Sequence, residues 1–205
     1  MIKNCICILS FLLLSSVVFS QQKNNNKKAK NIILMIGDGM GTAQIFAGLT
    51  ANNGTLNLER FPFSGFHKSQ PSEGYVTDSG AGATAFSIGK KTYNGAIGVD
   101  ATKLAQPTIL EIAERNKLAT GMVVSCAVTH ATPASFIAHQ PSRSMQEEIA
   151  ADFLKTDIDV FIGGGRKYFN QRKDGRNLLD SLKARRYQVL DTLTDIVKVT
   201  SGKLA

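Results

Sequence analysis

Thr120-Gly121-Met122-Val123-Val124-Ser125 is an apolar run without the polar alternation of a half-solvated strand. Such a run reads as a strand buried on both faces of a parallel sheet. Upstream of it, Pro107-Thr108-Ile109-Leu110-Glu111-Ile112-Ala113-Glu114-Arg115 puts proline at a helix start and apolar residues at helical spacing. Downstream, a helix is expected over 144–154, and Val160-Phe161-Ile162 follows as another buried strand that ends in Gly163-Gly164-Gly165. Near the start of the chain, Ile32-Ile33-Leu34-Met35-Ile36 has the same character and ends in Gly37-Asp38-Gly39, with a helix expected over 42–49. Buried strands that alternate with helices predict an α/β fold, a doubly wound, mostly parallel sheet with helices on both faces. Weak strands are expected at 65–68 and 96–99, and 200–205 reads as the start of a further loop or strand.

The first 20 residues predict a secretory signal peptide. A positive start at Lys3, an apolar stretch too short to span a bilayer and small residues near Ser20 are its features. Residues 21–30, rich in asparagine and lysine, read as a disordered linker. The fold then occupies 31–205, and the protein is expected to be exported, to the periplasm or beyond, with no membrane attachment after cleavage. The formal charge of +8 is concentrated in this leader and linker, since Lys3, Lys23, Lys27, Lys28 and Lys30 all precede residue 31. The remainder carries about +3, too little to argue for nucleic acid as a partner. Cys5 and Cys7 lie in the leader, which leaves Cys126 without an intrachain partner and reading as a small buried hydrophobe.

Ligands of open parallel sheets sit beyond the carboxyl ends of the strands, where loops and helix N-termini converge. Asp38, His130 and Thr132 all fall at such ends. Val76-Thr77-Asp78-Ser79-Gly80-Ala81-Gly82-Ala83-Thr84-Ala85 opens a helix of small residues, which leaves Ser79 accessible and on the positive side of the helix dipole. Each feature also has an ordinary reading: a capped helix for Asp78 and Ser79, a glycine turn for Asp38, an N-cap for Thr132, and a solvated surface arginine for Arg143.

Together these residues resemble the alkaline phosphatase family. The Val76 to Ala85 decapeptide is similar to the family's nucleophile signature. Met35-Ile36-Gly37-Asp38-Gly39-Met40-Gly41 is similar to its first metal-binding strand, and His130-Ala131-Thr132-Pro133-Ala134 with Arg143 to its magnesium and phosphate segment. The resemblance implies hydrolysis of small phosphate monoesters through a phosphoserine at a site of two Zn2+ and one Mg2+. Ser79 matches the zinc-bound nucleophile, Asp38 the carboxylate shared by zinc and magnesium, Thr132 a magnesium ligand, and Arg143 the phosphate clamp. His130 stands beside the magnesium ligands rather than among them, where some members carry aspartate. Asp78 matches no ligand and reads as positioning the serine loop. His67 and His139 match no ligand either, and read as packing or surface histidines.

The family's members are roughly twice this length, and their remaining zinc and magnesium ligands follow the region matched here. The resemblance therefore implies the N-terminal portion of a larger phosphatase domain, inactive by itself, with homodimerisation common among relatives. Two other readings stand beside it: a non-catalytic phosphate-binding or assembly module, and a related metal-dependent phosphodiesterase or sulfatase. The second is disfavoured because Asp78-Ser79-Gly80-Ala81-Gly82-Ala83-Thr84 lacks the Cys/Ser-x-Pro-x-Arg pattern of sulfatases.

Overall fold

A computed structural model describes residues 28–205. The signal-peptide reading and residues 21–27 of the linker lie outside the described residues. Residues 28–37 belong to a unit separate from Asp38–Ala205, and each is described by itself. In the first, Ile32 and Ile33 are each 85% exposed, and residues 31–37 have no strand partner among the described residues. The buried strand expected there is thus not formed. An apolar extended segment is buried only when neighbouring strands take its backbone groups and cover its faces.

The second unit is built on a four-stranded sheet. Its strands are β1 (Gly121–Ala127), β2 (Val160–Gly164), β3 (Tyr187–Gln188) and β4 (Lys203–Leu204), in the order β1-β2-β4-β3. Every pairing is parallel. Helices make the crossovers that parallel strands need: α4 (Ala131–Ala134) and α5 (Gln146–Asp152) between β1 and β2, α6 (Lys167–Asn170) and α7 (Leu178–Ala184) between β2 and β3, and α8 (Leu193–Ile196) before β4. The α/β class and parallel sheet are those the apolar runs predict. Strands β3 and β4 are two residues each and lack an apolar run of their own.

Met122 pairs with Phe161 in register, and both are buried. They meet Ile149 of α5, Phe153 just past its end, Phe169 of α6 and Leu178 and Leu182 of α7 in one core, with Phe153 5.0 Å from Phe161 and 5.8 Å from Phe169 between ring centroids. Burial on both faces, which the apolar run predicts for β1, is not found: Val123, on the reverse face, is 73% exposed. Cys126 of β1 is half-buried rather than fully buried, and burial pushes its thiol up from the ordinary value.

Among the described residues, three α-helices precede the sheet: α1 (Thr42–Ala51), α2 (Ser79–Ile88) and α3 (Ile109–Arg115). Thr108, not Pro107, is the N-cap of α3. The Thr108 hydroxyl accepts from the Glu111 N–H and the Glu111 carboxylate accepts from the Thr108 N–H, so the first turn is closed reciprocally. Residues 65–68 form no strand; Lys91 Nζ donates to the Lys68 carbonyl at 3.3 Å and to the Gln70 carbonyl just beyond at 2.6 Å. Residues 96–99 form only two isolated antiparallel bridges, Ile97 with Gln140 and Val99 with Ala105.

The small-residue face of α2 is what lets it lie against the segment after β1. Gly80, Ala81, Ala83, Thr84 and Ser87 are buried. Ser87 Oγ donates to the Ser135 carbonyl at 2.5 Å, and Thr84 Oγ1 meets Ser135 Oγ at 3.0 Å, just past α4. The helix that carries Ser79 is thereby fixed against the helix that carries Thr132.

Candidate active site

Asp78 is the N-cap of α2 and Ser79 its first residue. Asp78 Oδ1 accepts from the Ala81 N–H at 2.8 Å, which satisfies one of the free donors of the first turn. Ser79 is half-buried, and its hydroxyl donates to Asp38 Oδ1 at 3.0 Å. The other Asp38 oxygen, Oδ2, accepts from Thr132 Oγ1 at 2.7 Å. One carboxylate therefore gathers two hydroxyls that lie 41 and 94 residues away in sequence. Gly39, at φ +67°, gives the left-handed turn that follows Asp38.

Arg143 enters from the loop before α5. Its Nη1 donates to Asp78 Oδ2 at 2.9 Å, and its Nη2 lies 3.2 Å from His130 Nε2. A guanidinium has no acceptor, so across this contact His130 Nε2 can only accept. Burial works to raise the Asp78 pKa, but the hydrogen bonds from Ala81 N–H and Arg143 outweigh it and hold the carboxyl below its ordinary 3.8. Two edges of the guanidinium are thus engaged, and its remaining N–H donors are left for a ligand.

These contacts form two groups, Asp38 with Ser79 and Thr132, and Arg143 with Asp78 and His130, which the adjacent residues Asp78 and Ser79 connect along the chain. His67 and His139 are not among them. His67 lies edge-on to Phe86 at 5.3 Å between centroids, and His139 is held between Glu111 and the Gly98 carbonyl. Sequence reasoning left out Asn94, whose side chain binds the backbone of residues 76 and 78. Its only signal was its place in a glycine-punctuated loop.

A carboxylate and two hydroxyls are hard oxygen donors, which fit one edge of a magnesium site. They do not complete a zinc site, which takes three or four nitrogen, sulfur or carboxylate ligands. No group of three or more His, Cys, Asp or Glu is placed to hold a metal among the described residues.

Residues 29–204 match the family model for alkaline phosphatase. The chain belongs to the alkaline phosphatase family. Alkaline phosphatase 3 of Bacillus subtilis (strain 168) is 41% identical over 183 residues, which cover 82% of this chain and 39% of that relative. The solved alkaline phosphatase from the Antarctic bacterium TAB5 superposes with a TM-score of 0.82 at 44% identity, over 85% of this chain and 52% of that one. A histidine-to-aspartate variant of the TAB5 enzyme, described with Mg bound, superposes with a TM-score of 0.81. This chain thus spans about two fifths of the curated alkaline phosphatase and about half of the solved ones.

Proposed function

We propose that the protein containing this chain hydrolyses phosphate monoesters by passing the phosphoryl group to Ser79 and then to water. Ser79 Oγ would attack phosphorus, the bond from phosphorus to the alcohol oxygen would break, and the alcohol would leave with a proton. Water would then cleave the phosphoserine, releasing phosphate and restoring the hydroxyl. The observation that carries this reading is the shared carboxylate: Asp38 binds the hydroxyls of both Ser79 and Thr132, at the N-terminus of a ten-residue helix.

In this reading Asp38 takes the Ser79 hydroxyl hydrogen bond and so aims the oxygen. The unpaired backbone N–H groups and dipole of the α2 start favour the negative charge that develops on the phosphoryl oxygens. Arg143, braced by Asp78 and His130, receives two phosphate oxygens on its free N–H groups. Thr132 and Asp38 would be oxygen ligands for Mg2+, and Asp38 and Ser79 would supply ligands toward Zn2+. When bound, these metals would make the serine oxygen and the attacking water nucleophilic near neutral pH. The magnesium described in the TAB5 variant supports a metal in this family's site.

Residues 31–205 are read as part of a larger phosphatase domain, and the remaining ligands as belonging to the rest of that domain. One carboxylate and two hydroxyls are too few to hold the three metals, so residues 28–205 by themselves should be inactive. Export follows from the leader. No helix among the described residues is long and apolar enough to cross a membrane.

The test compares p-nitrophenyl phosphate with bis(p-nitrophenyl) phosphate on the full-length protein. The monoester should be turned over far faster. A preference for the diester would replace the monoesterase reading with a phosphodiesterase.

A further inference from the structure

The turn that presents Ser79 is held by a side chain that takes no part in the proposed chemistry. Asn94 Oδ1 accepts from the Asp78 N–H at 2.9 Å, and Asn94 Nδ2 donates to the Val76 carbonyl at 2.9 Å. One amide thus meets a donor and an acceptor two residues apart on an extended segment, as a neighbouring strand would. Val76 is 81% exposed, and residues 75–78 have no strand partner among the described residues. The Asn94 amide takes the place of one.

The next two residues extend this contact in two directions. Gly95, at φ +86°, turns the chain so that its carbonyl accepts the Arg143 N–H at 2.7 Å. The first turn of α2 rests on the same peptide: a Cβ on Gly80 would lie 3.0 Å from the Ala96 carbonyl oxygen and 3.2 Å from the Gly95 carbonyl carbon. Asn94, Gly95 and Ala96 therefore touch the serine turn, the start of the serine helix and the arginine backbone.

We propose that Asn94 is a positioning residue that sets Ser79 at a fixed separation from the Arg143 guanidinium. This inference rests on the reading of Ser79 as nucleophile and Arg143 as phosphate-binding group. It adds a backbone route to the side-chain contact between Asp78 and Arg143. Asn94 is exposed, so its removal opens no core cavity, and its effect falls on geometry rather than on packing. A side-chain amide carries its acceptor and its donor on separate atoms, and in Asn94 each meets one backbone group of the serine turn. Aspartate would keep the acceptor for the Asp78 N–H but would turn a second oxygen toward the Val76 carbonyl.

The experiment measures kcat, KM and the melting temperature of the full-length, metal-loaded protein with p-nitrophenyl phosphate, for wild type, Asn94→Ala and Asn94→Asp. Misplacement of a reacting group by about an ångström costs about a hundredfold. Asn94→Ala should accordingly lower kcat by about ten- to a hundredfold while KM changes by less than about threefold. Asn94→Asp should fall between Asn94→Ala and wild type. If Asn94→Ala does not fold, Asn94→Asp decides by the same split. A folded variant with wild-type kcat overturns the inference, as does a kcat loss that follows melting temperature alone. No monoester turnover by the wild type would remove the phosphatase reading and this inference with it. Wild-type turnover with unimpaired Asn94 variants would remove the inference only.

Discussion

The Asp78 carboxylate is divided between two tasks: Oδ2 accepts from Arg143 Nη1 at 2.9 Å while Oδ1 caps the Ser79 helix through the Ala81 N–H at 2.8 Å. The residue next to the proposed nucleophile thus fixes both the helix start and the guanidinium.

Asp78→Ala removes both contacts and should destabilise the protein by about 1 kcal/mol through the lost cap. Asp78→Asn keeps an acceptor for the Ala81 N–H and should cost less. Thermal melts of the two variants check this. Equal losses would mean that the cap contributes nothing and the ion pair everything.

The His139 ring donates to Glu111 Oε1 at 2.9 Å and to the Gly98 carbonyl at 2.8 Å, which ties the loop after α2 to the first turn of α3. The Glu111 hydrogen bond raises the His139 pKa above 6.5; burial opposes it, and the charges of Glu111 and Asp152 add to the rise. Burial works to raise the Glu111 pKa, but the bonds from His139 and the Thr108 N–H outweigh it and hold the group below 4.5. A raised histidine stabilises fully below 6.5 and loses that contribution as pH rises through its folded value. A depressed glutamate stabilises above 4.5 and loses it as pH falls through its folded value. Denaturant midpoints should therefore decline on the alkaline side of 6.5, and His139→Gln should flatten that decline. An equally steep alkaline decline in the variant would assign it to other groups.

Which of these features were legible in the chain depends on how local their causes are. Strands β1 and β2 and helix α2 follow from apolar runs and small-residue spacing, and they lie where the sequence places them. The run Ile32 to Ile36 has the same pattern, but burial of a strand depends on partners distant in sequence, and here it is exposed. Strand β3 could not be read from two residues; Tyr187 is held there by its hydroxyl, which donates to the Ile158 carbonyl at 2.5 Å. Asp38, Ser79 and Thr132 could be proposed as neighbours by resemblance. The partners of Arg143 and the clamp by Asn94 depend on contacts 65 and 16 residues apart, and no local pattern records them.

Gly98 stands at φ +59° with no room for a side chain, because a Cβ would fall on the Ala138 carbonyl oxygen. Gly98→Ala should cost more than about 2 kcal/mol, from the left-handed backbone together with the clash. Gly80→Ala, where the nearest contact is 3.0 Å, should be milder. Chemical unfolding of both variants checks the order, and the reverse order would contradict the packing described for the 95–98 loop.

Phe153 is 1% exposed and joins Phe161 and Phe169 at the centre of the core. Phe153→Ala should destabilise the protein by about 3–5 kcal/mol, and Phe153→Leu by clearly less. A melting temperature for Phe153→Ala close to that of wild type would show that this cluster is not the core of the folded protein.

If Ser79 carries the phosphoryl group, the phosphoserine can be captured during turnover. The full-length, metal-loaded protein is mixed with p-nitrophenyl phosphate, quenched in acid, digested and analysed by mass spectrometry. A nucleophilic Ser79 predicts a phosphate on that residue, its absence in Ser79→Ala, and a loss of turnover in that variant of about a thousandfold or more. Phosphate on another residue, or turnover that survives Ser79→Ala, would contradict it.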